Sequence, residues 1–90
     1  MACDVTSRDV ASDLVIDVLK NLMNDKNISE ETKLGAGGLG LDSTAKRGIF
    51  PHIGVAVHKK GCVLDDAEPS DFEGAKTVGE LVDLVWDDLT

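Results

Sequence analysis

Apolar residues recur along this chain in two regular rhythms separated by an irregular middle. Near the start, Val10, Leu14, Val18 and Leu22 form a ridge at four-residue spacing, with Ala11, Val15, Leu19 and Met23 beside it. That is the period of an amphipathic helix. Thr6 or Ser7 can cap it, Asp9 suits its first turn, and Asn24-Asp25-Lys26-Asn27 ends it, because short polar side chains compete for the backbone. Ile16 falls off the apolar face and reads as a side-of-core residue. At the other end, Thr77-Val78-Gly79-Glu80 is a capping box. Val78, Leu81, Val82, Val85, Trp86 and Leu89 then mark one face, with Asp83, Asp87 and Asp88 on the other.

The middle is less regular. Asn24 to Asp42 reads as a long loop with two apolar pins, Ile28 and Leu34, before a run rich in glycine. Loops of this length are uncommon in compact domains unless they serve a function. From Ser43 to Leu64 two readings compete. A helix would bury Ile49, Phe50, Ile53 and Val57, but Gly48, Pro51 and Gly54 interrupt it, and an internal proline costs about 3 kcal/mol. A hairpin would alternate Ile53, Val55 and Val57, turn at His58-Lys59-Lys60-Gly61, and return through Cys62-Val63-Leu64. Pro69 and Ser70 can start one short helical turn around Phe72.

Ninety residues make one domain, 1–90, with one modest core. The aromatic residues are Phe50, Phe72 and Trp86, so that core must be mainly aliphatic. A net charge of −8 argues against nucleic acid as a partner. The charge is also segregated. Nine acids and one base, Lys76, lie between Cys62 and Thr90, whereas Thr44 to Gly61 holds four bases and no acid. Cys3 and Cys62 do not make a disulfide framework. No leader or membrane-spanning run is present, so a reduced, cytoplasmic monomer is expected, with Cys62 as a small core residue.

Several chemical motifs fail on context. Gly35-Ala36-Gly37-Gly38-Leu39-Gly40 matches the glycine string of dinucleotide-binding folds, but a polar loop precedes it and position 60 is a lysine rather than an acid. Ser43 lacks the flanking glycines of a nucleophile elbow, since Leu41 and Ala45 stand there. No convincing acid–base pair supports an enzyme. His52, His58 and Cys62 make a weak metal set. Counted from Asp65 or Asp66, the acids up to Glu73 lack the glycine of a calcium loop. No metal site is expected.

Asp42-Ser43 is the feature with positive content. A serine after a glycine-rich loop, at a helix N-terminus, presents its hydroxyl where unpaired N–H groups and the helix dipole favour a phosphate. The plain alternative is an N-cap serine. The run Leu39-Gly40-Leu41-Asp42-Ser43, the first helix, the long pinned loop and Thr77-Val78 opening a final helix together resemble the acyl carrier / peptidyl carrier protein family.

The resemblance implies an all-α four-helix bundle, three major helices and one short one, with a long loop between helices 1 and 2. It implies phosphopantetheine on Ser43, installed from coenzyme A by a phosphopantetheinyl transferase. Asp42 would set the turn and the transferase's approach. The arm would hold an acyl-type intermediate as a thioester in fatty acid, polyketide or related biosynthesis, for acyl-transferring or synthase enzymes. The chain would then catalyse nothing itself. Leu14, Val18, Ile49, Ile53 and Val57 would border an acyl cavity.

Three departures accompany it. Thr44 replaces the family's usual leucine or methionine, Lys46 and Arg47 replace an acidic docking face, and Pro51 interrupts the helix. Thr44, Lys46 and Arg47 are the expected partner-binding residues. The alternative is a non-enzymatic protein-interaction domain of the same architecture.

Overall fold

The computed structural model describes residues 3–65 and 67–89, and in them the chain is all α. The helices run in the order α1 (Arg8–Met23), α2 (Ser43–His58), α3 (Pro69–Glu73) and α4 (Val78–Asp88). Three are long and one is short, and the long loop lies between α1 and α2, as expected from the sequence. No helix is long and apolar enough to cross a membrane among the described residues. Asp66, weighed above as the start of a calcium loop, lies outside the described residues.

Local chemistry accounts for the ends of α1 and α4. Ser7, not Thr6, caps α1, its side chain accepting from the Val10 N–H at 3.3 Å. Asn24 closes α1 in the left-handed region at φ 52°, a conformation that asparagine tolerates better than most residues. The Thr77 hydroxyl accepts from Glu80 N–H at 3.2 Å, and the Glu80 carboxylate accepts from Thr77 N–H at 3.0 Å, the reciprocal capping box expected for α4.

α1 packs on α4 and α2 on α3, and α1 also meets α2. The buried ridge of α1 is Ala11, Val15 and Leu19, while Leu14, Val18 and Leu22 are half-buried and Val10 is 38% exposed. The apolar stripe of α1 is thus wider than its contact with the core, and one edge of it stays open. Ile16 packs at the side of the core. On α4 the buried residues are Val78, Leu81, Val82 and Val85. Leu89 lies just past the helix as its C-cap and forms an antiparallel bridge with Leu64.

The competition over the middle segment ends in a helix. α2 continues through Pro51 for 16 residues, with Ile49, Ile53 and Val57 buried at four-residue spacing. Magnitudes explain why. Burying each of these side chains contributes about 1.5–3 kcal/mol, and together they exceed the roughly 3 kcal/mol penalty of an internal proline. Pro51 sits on the exposed face, so the Arg47 carbonyl that loses its helical donor lies toward water. Phe50 stands half-buried, its ring edge-on to that of Phe72 at 5.4 Å, which couples α2 to α3.

The cysteines correct an expectation. They are not a pair of reduced thiols: Cys3 and Cys62 are joined in a disulfide, with their Cα atoms 4.7 Å apart. Cys62 is nonetheless a core residue, with no exposed surface. The pairing arises because the N-terminal segment lies back against the end of α2. Asp4 N–H donates to the Lys60 carbonyl at 2.9 Å, and Val5 is buried. Nothing in the local pattern around either cysteine encodes an approach across 59 residues.

A polar staple joins α1, the loop and α4. The Arg8 guanidinium donates to both Glu30 carboxylate oxygens, at 2.8 and 3.2 Å, and to Asp83 at 2.7 Å. The Ser12 hydroxyl adds a bond to Glu30 at 2.8 Å. Arg8, and after it Ser12, holds the Glu30 carboxyl below the usual carboxylate range.

Two measurements follow from this packing. Gly48 and Gly54 have open space where a Cβ would stand, whereas a Cβ at Gly38 would collide with the Lys33 backbone carbonyl. Gly48→Ala and Gly54→Ala are each expected to raise stability by about 0.5–1 kcal/mol in urea titration, and Gly38→Ala to lower it. Opening the disulfide, by reductant or by Cys3→Ser, frees a long loop in the unfolded chain and is expected to cost about 2–4 kcal/mol. Comparing urea midpoints with and without reductant measures it.

Candidate functional site

The route to Ser43 begins in the long loop. Ile28 and Leu34 are buried and act as the two pins that the sequence suggested. Lys33 forms an antiparallel bridge with Thr77, flanked by Leu34 N–H to Lys76 carbonyl and Val78 N–H to Thr32 carbonyl, both at 2.9 Å. The glycine-rich run then folds back on its own start. Leu39 N–H donates to the Lys33 carbonyl at 2.8 Å, and Leu41 N–H to the Leu34 carbonyl at 2.7 Å. Gly37 and Gly40 take positive φ in this turn, at 86° and 71°.

This turn delivers Asp42 and Ser43 to the start of α2. Asp42, rather than the serine, is the N-cap: its Oδ1 accepts from Ala45 N–H at 2.8 Å. Ser43 is therefore the first residue of the helix, exposed, and its hydroxyl is not consumed by capping. Two roles that the sequence left on one dipeptide are divided between its residues. Asp42 satisfies an orphan backbone donor, and Ser43 is left at the positive end of the helix dipole.

Lys46 and Arg47 lie three and four residues further along α2, on the same face as Ser43. Arg47 is exposed. Lys46 is half-buried and reaches across to α3, its Nζ donating to the Glu73 carbonyl at 3.4 Å, where a cation suits a helix C-terminus. Thr44 is exposed beside them.

The residues expected to border an acyl cavity separate into two groups. Leu14 and Val18 line an open groove of about 790 Å³ between α1 and α2. Ile49, Ile53 and Val57 point into the core, at most 3% exposed, and do not line it. The other wall of the groove is instead His52, Val55 and Ala56 of α2, with Lys59 just past its end. Asp13 and Asp17 stand on its α1 side, opposite Lys59 and Lys60. Val55 is 58% exposed, and in a helical reading its place one face away from Ile53 and Val57 is the signal that it belongs to an open surface. With a rise of about 1.5 Å per residue, His52 lies about 13 Å along the helix from Ser43.

Other residues weighed for chemistry have structural employment. Cys62 is spent in the disulfide. Asp71 accepts from Glu68 N–H at 3.0 Å at the start of α3. Among the described residues, no group of three or more His, Cys, Asp or Glu is placed to hold a metal.

No family model, curated protein or solved structure matches the chain. The architecture is that of a small carrier-like helical bundle.

The division of labour at Asp42-Ser43 is testable. Asp42→Ala should cost about 1 kcal/mol of stability by removing the cap, with faster hydrogen exchange at the Ala45 amide. Asp42→Asn should keep most of both, and Ser43→Ala should leave them unchanged.

Proposed function

We propose that this chain is a stand-alone carrier protein that bears a phosphopantetheine arm on Ser43. The observation that supports this reading most is the exposed Ser43 hydroxyl in the first turn of α2, with Asp42 supplying the cap in its place. A phosphodiester at this position would meet the open N–H groups of the first turn, the helix dipole, and the charges of Lys46 and Arg47 on the same face. The arm's thiol would hold an acyl-type intermediate as a thioester. The chain itself would catalyse nothing and would raise the local concentration of the tethered group at acyl-transferring or synthase enzymes.

The groove between α1 and α2 supplies a partial shelter. Val10, Leu14, Val18, Leu22 and Val55 give it an apolar part of its lining, and its open side would let a tethered chain enter and leave without parting the helices. The exposed Arg47 also favours a second reading, an interaction domain that docks an acidic surface on this face without any modification.

Incubation with coenzyme A and a broad-specificity phosphopantetheinyl transferase, followed by intact mass, separates the two. The carrier reading expects a gain of one prosthetic arm on the wild type and none on Ser43→Ala. No gain on the wild type, or an equal gain on both, overturns it. The docking reading expects partner capture that survives Ser43→Ala and is lost on charge reversal at Lys46 and Arg47.

A further inference from the structure

Three of the chain's seven lysines come from three different segments to one place. Lys33 lies in the long loop, Lys46 in the first turns of α2, and Lys76 just before α4. Together with Gly35, Ala36, Thr77 and Glu80 they line a cavity of about 470 Å³. In a protein of net charge −8, such a concentration of cations runs against the overall field. We propose that this cavity binds a small phosphate-bearing anion, held by Lys33, Lys46 and Lys76.

The charges there are not spent in ion pairs, although the Lys46 Nζ already donates to the Glu73 carbonyl at 3.4 Å. Among the described residues the ion pairs are those that Arg8 makes with Glu30 and Asp83, and none of the three lysines joins one. Glu80 is the single carboxylate on the rim. Its Oε2 already accepts from the N–H groups of Lys76 and Thr77, at 2.9 and 3.0 Å. The rim thus carries three cations against one carboxylate that faces backbone donors. Further donors are available, because the N–H groups of Gly35 and Ala36 have no partner among the described residues. Ammonium groups combined with open backbone N–H groups are the donor set that phosphate oxygens require.

The walls are fixed rather than incidental. The Lys33–Thr77 bridge sets the loop against α4, and the Leu34 N–H bond to Lys76 locks the two lysine-bearing backbones side by side. Gly38 turns so tightly over Lys33 that no side chain fits there. The volume is enough for a pyrophosphate group or a nucleoside diphosphate. The site shares Lys46 with the carrier reading but does not require Ser43 to be modified, since Lys33 and Lys76 lie outside that reading. Lys46 is nevertheless one turn from Ser43, so the same phosphate chemistry could come from a free metabolite or from an ester carried on that serine.

Inorganic pyrophosphate, titrated into isotope-labelled protein at physiological salt, tests the site. The expected result is saturable amide shifts confined to residues 33–38, 46 and 76–77, equal in wild type and Ser43→Ala. Lys33→Gln and Lys76→Gln should each weaken binding about tenfold while the remaining amide spectrum stays folded, and Lys59→Gln should change nothing. In a second arm, protein carrying phosphopantetheine on Ser43 is titrated in the same way. Undiminished binding assigns the cavity to a free anion. Shifts at the same amides before any addition, with pyrophosphate then excluded, assign it to the tethered phosphate. Shifts spread without saturation over Lys20, Lys26, Lys59 and Lys60, or unchanged affinity in Lys33→Gln and Lys76→Gln, would overturn the proposal. If Ser43 takes no arm, the first arm still decides the site.

Discussion

Leu34 has no exposed surface, and the backbone around it is paired on both sides with the segment that opens α4. Its N–H is satisfied by Lys76 and its carbonyl by Leu41, so an apolar side chain is buried with its backbone groups accounted for. Upstream of this anchor, the loop is free to be held at Glu30 by Arg8. Downstream, the glycine-rich turn has one way back, and it ends at Asp42 with Ser43 exposed. The start of α2, the lysine cavity and the entry to α4 all inherit their positions from this crossing.

Electrostatics divides the basic residues by task. Arg8 is consumed internally, its planar fork matched to the two oxygens of Glu30 and to Asp83, a geometry that a lysine could not reproduce. Lys46 leans on the end of α3. Lys59 and Lys60 line the α1–α2 groove, as do Asp13 and Asp17. The net charge of −8 therefore conceals two separate basic places, one at each end of α2, and the end beside Ser43 is the one with backbone donors left open.

α2 shows how tertiary packing overrides local preference. Gly48, Pro51 and Gly54 weaken any helix, and the alternation of Ile53, Val55 and Val57 is equally legible as a strand. What decides is a core that accepts Ile49, Ile53 and Val57 at helical spacing and a ring contact from Phe50 to Phe72. The same spacing leaves Val55 outside, on the groove. At the end of that helix the chain is held by the disulfide to Cys3, which ties the N-terminal segment to the bundle.

The sequence by itself determined α1 and α4, their caps and the two pins of the loop. Each of these rests on neighbours three or four residues apart, or on a side chain bonding its own turn, so the energy is written locally. Only the tertiary structure decided that α2 is a helix, that Cys3 meets Cys62, that Leu14 and Val18 part company with Ile49, Ile53 and Val57, and that Lys33, Lys46 and Lys76 share one cavity. Those outcomes depend on contacts between residues tens of positions apart. Their free energy is gained only when the elements dock, and no local pattern records it.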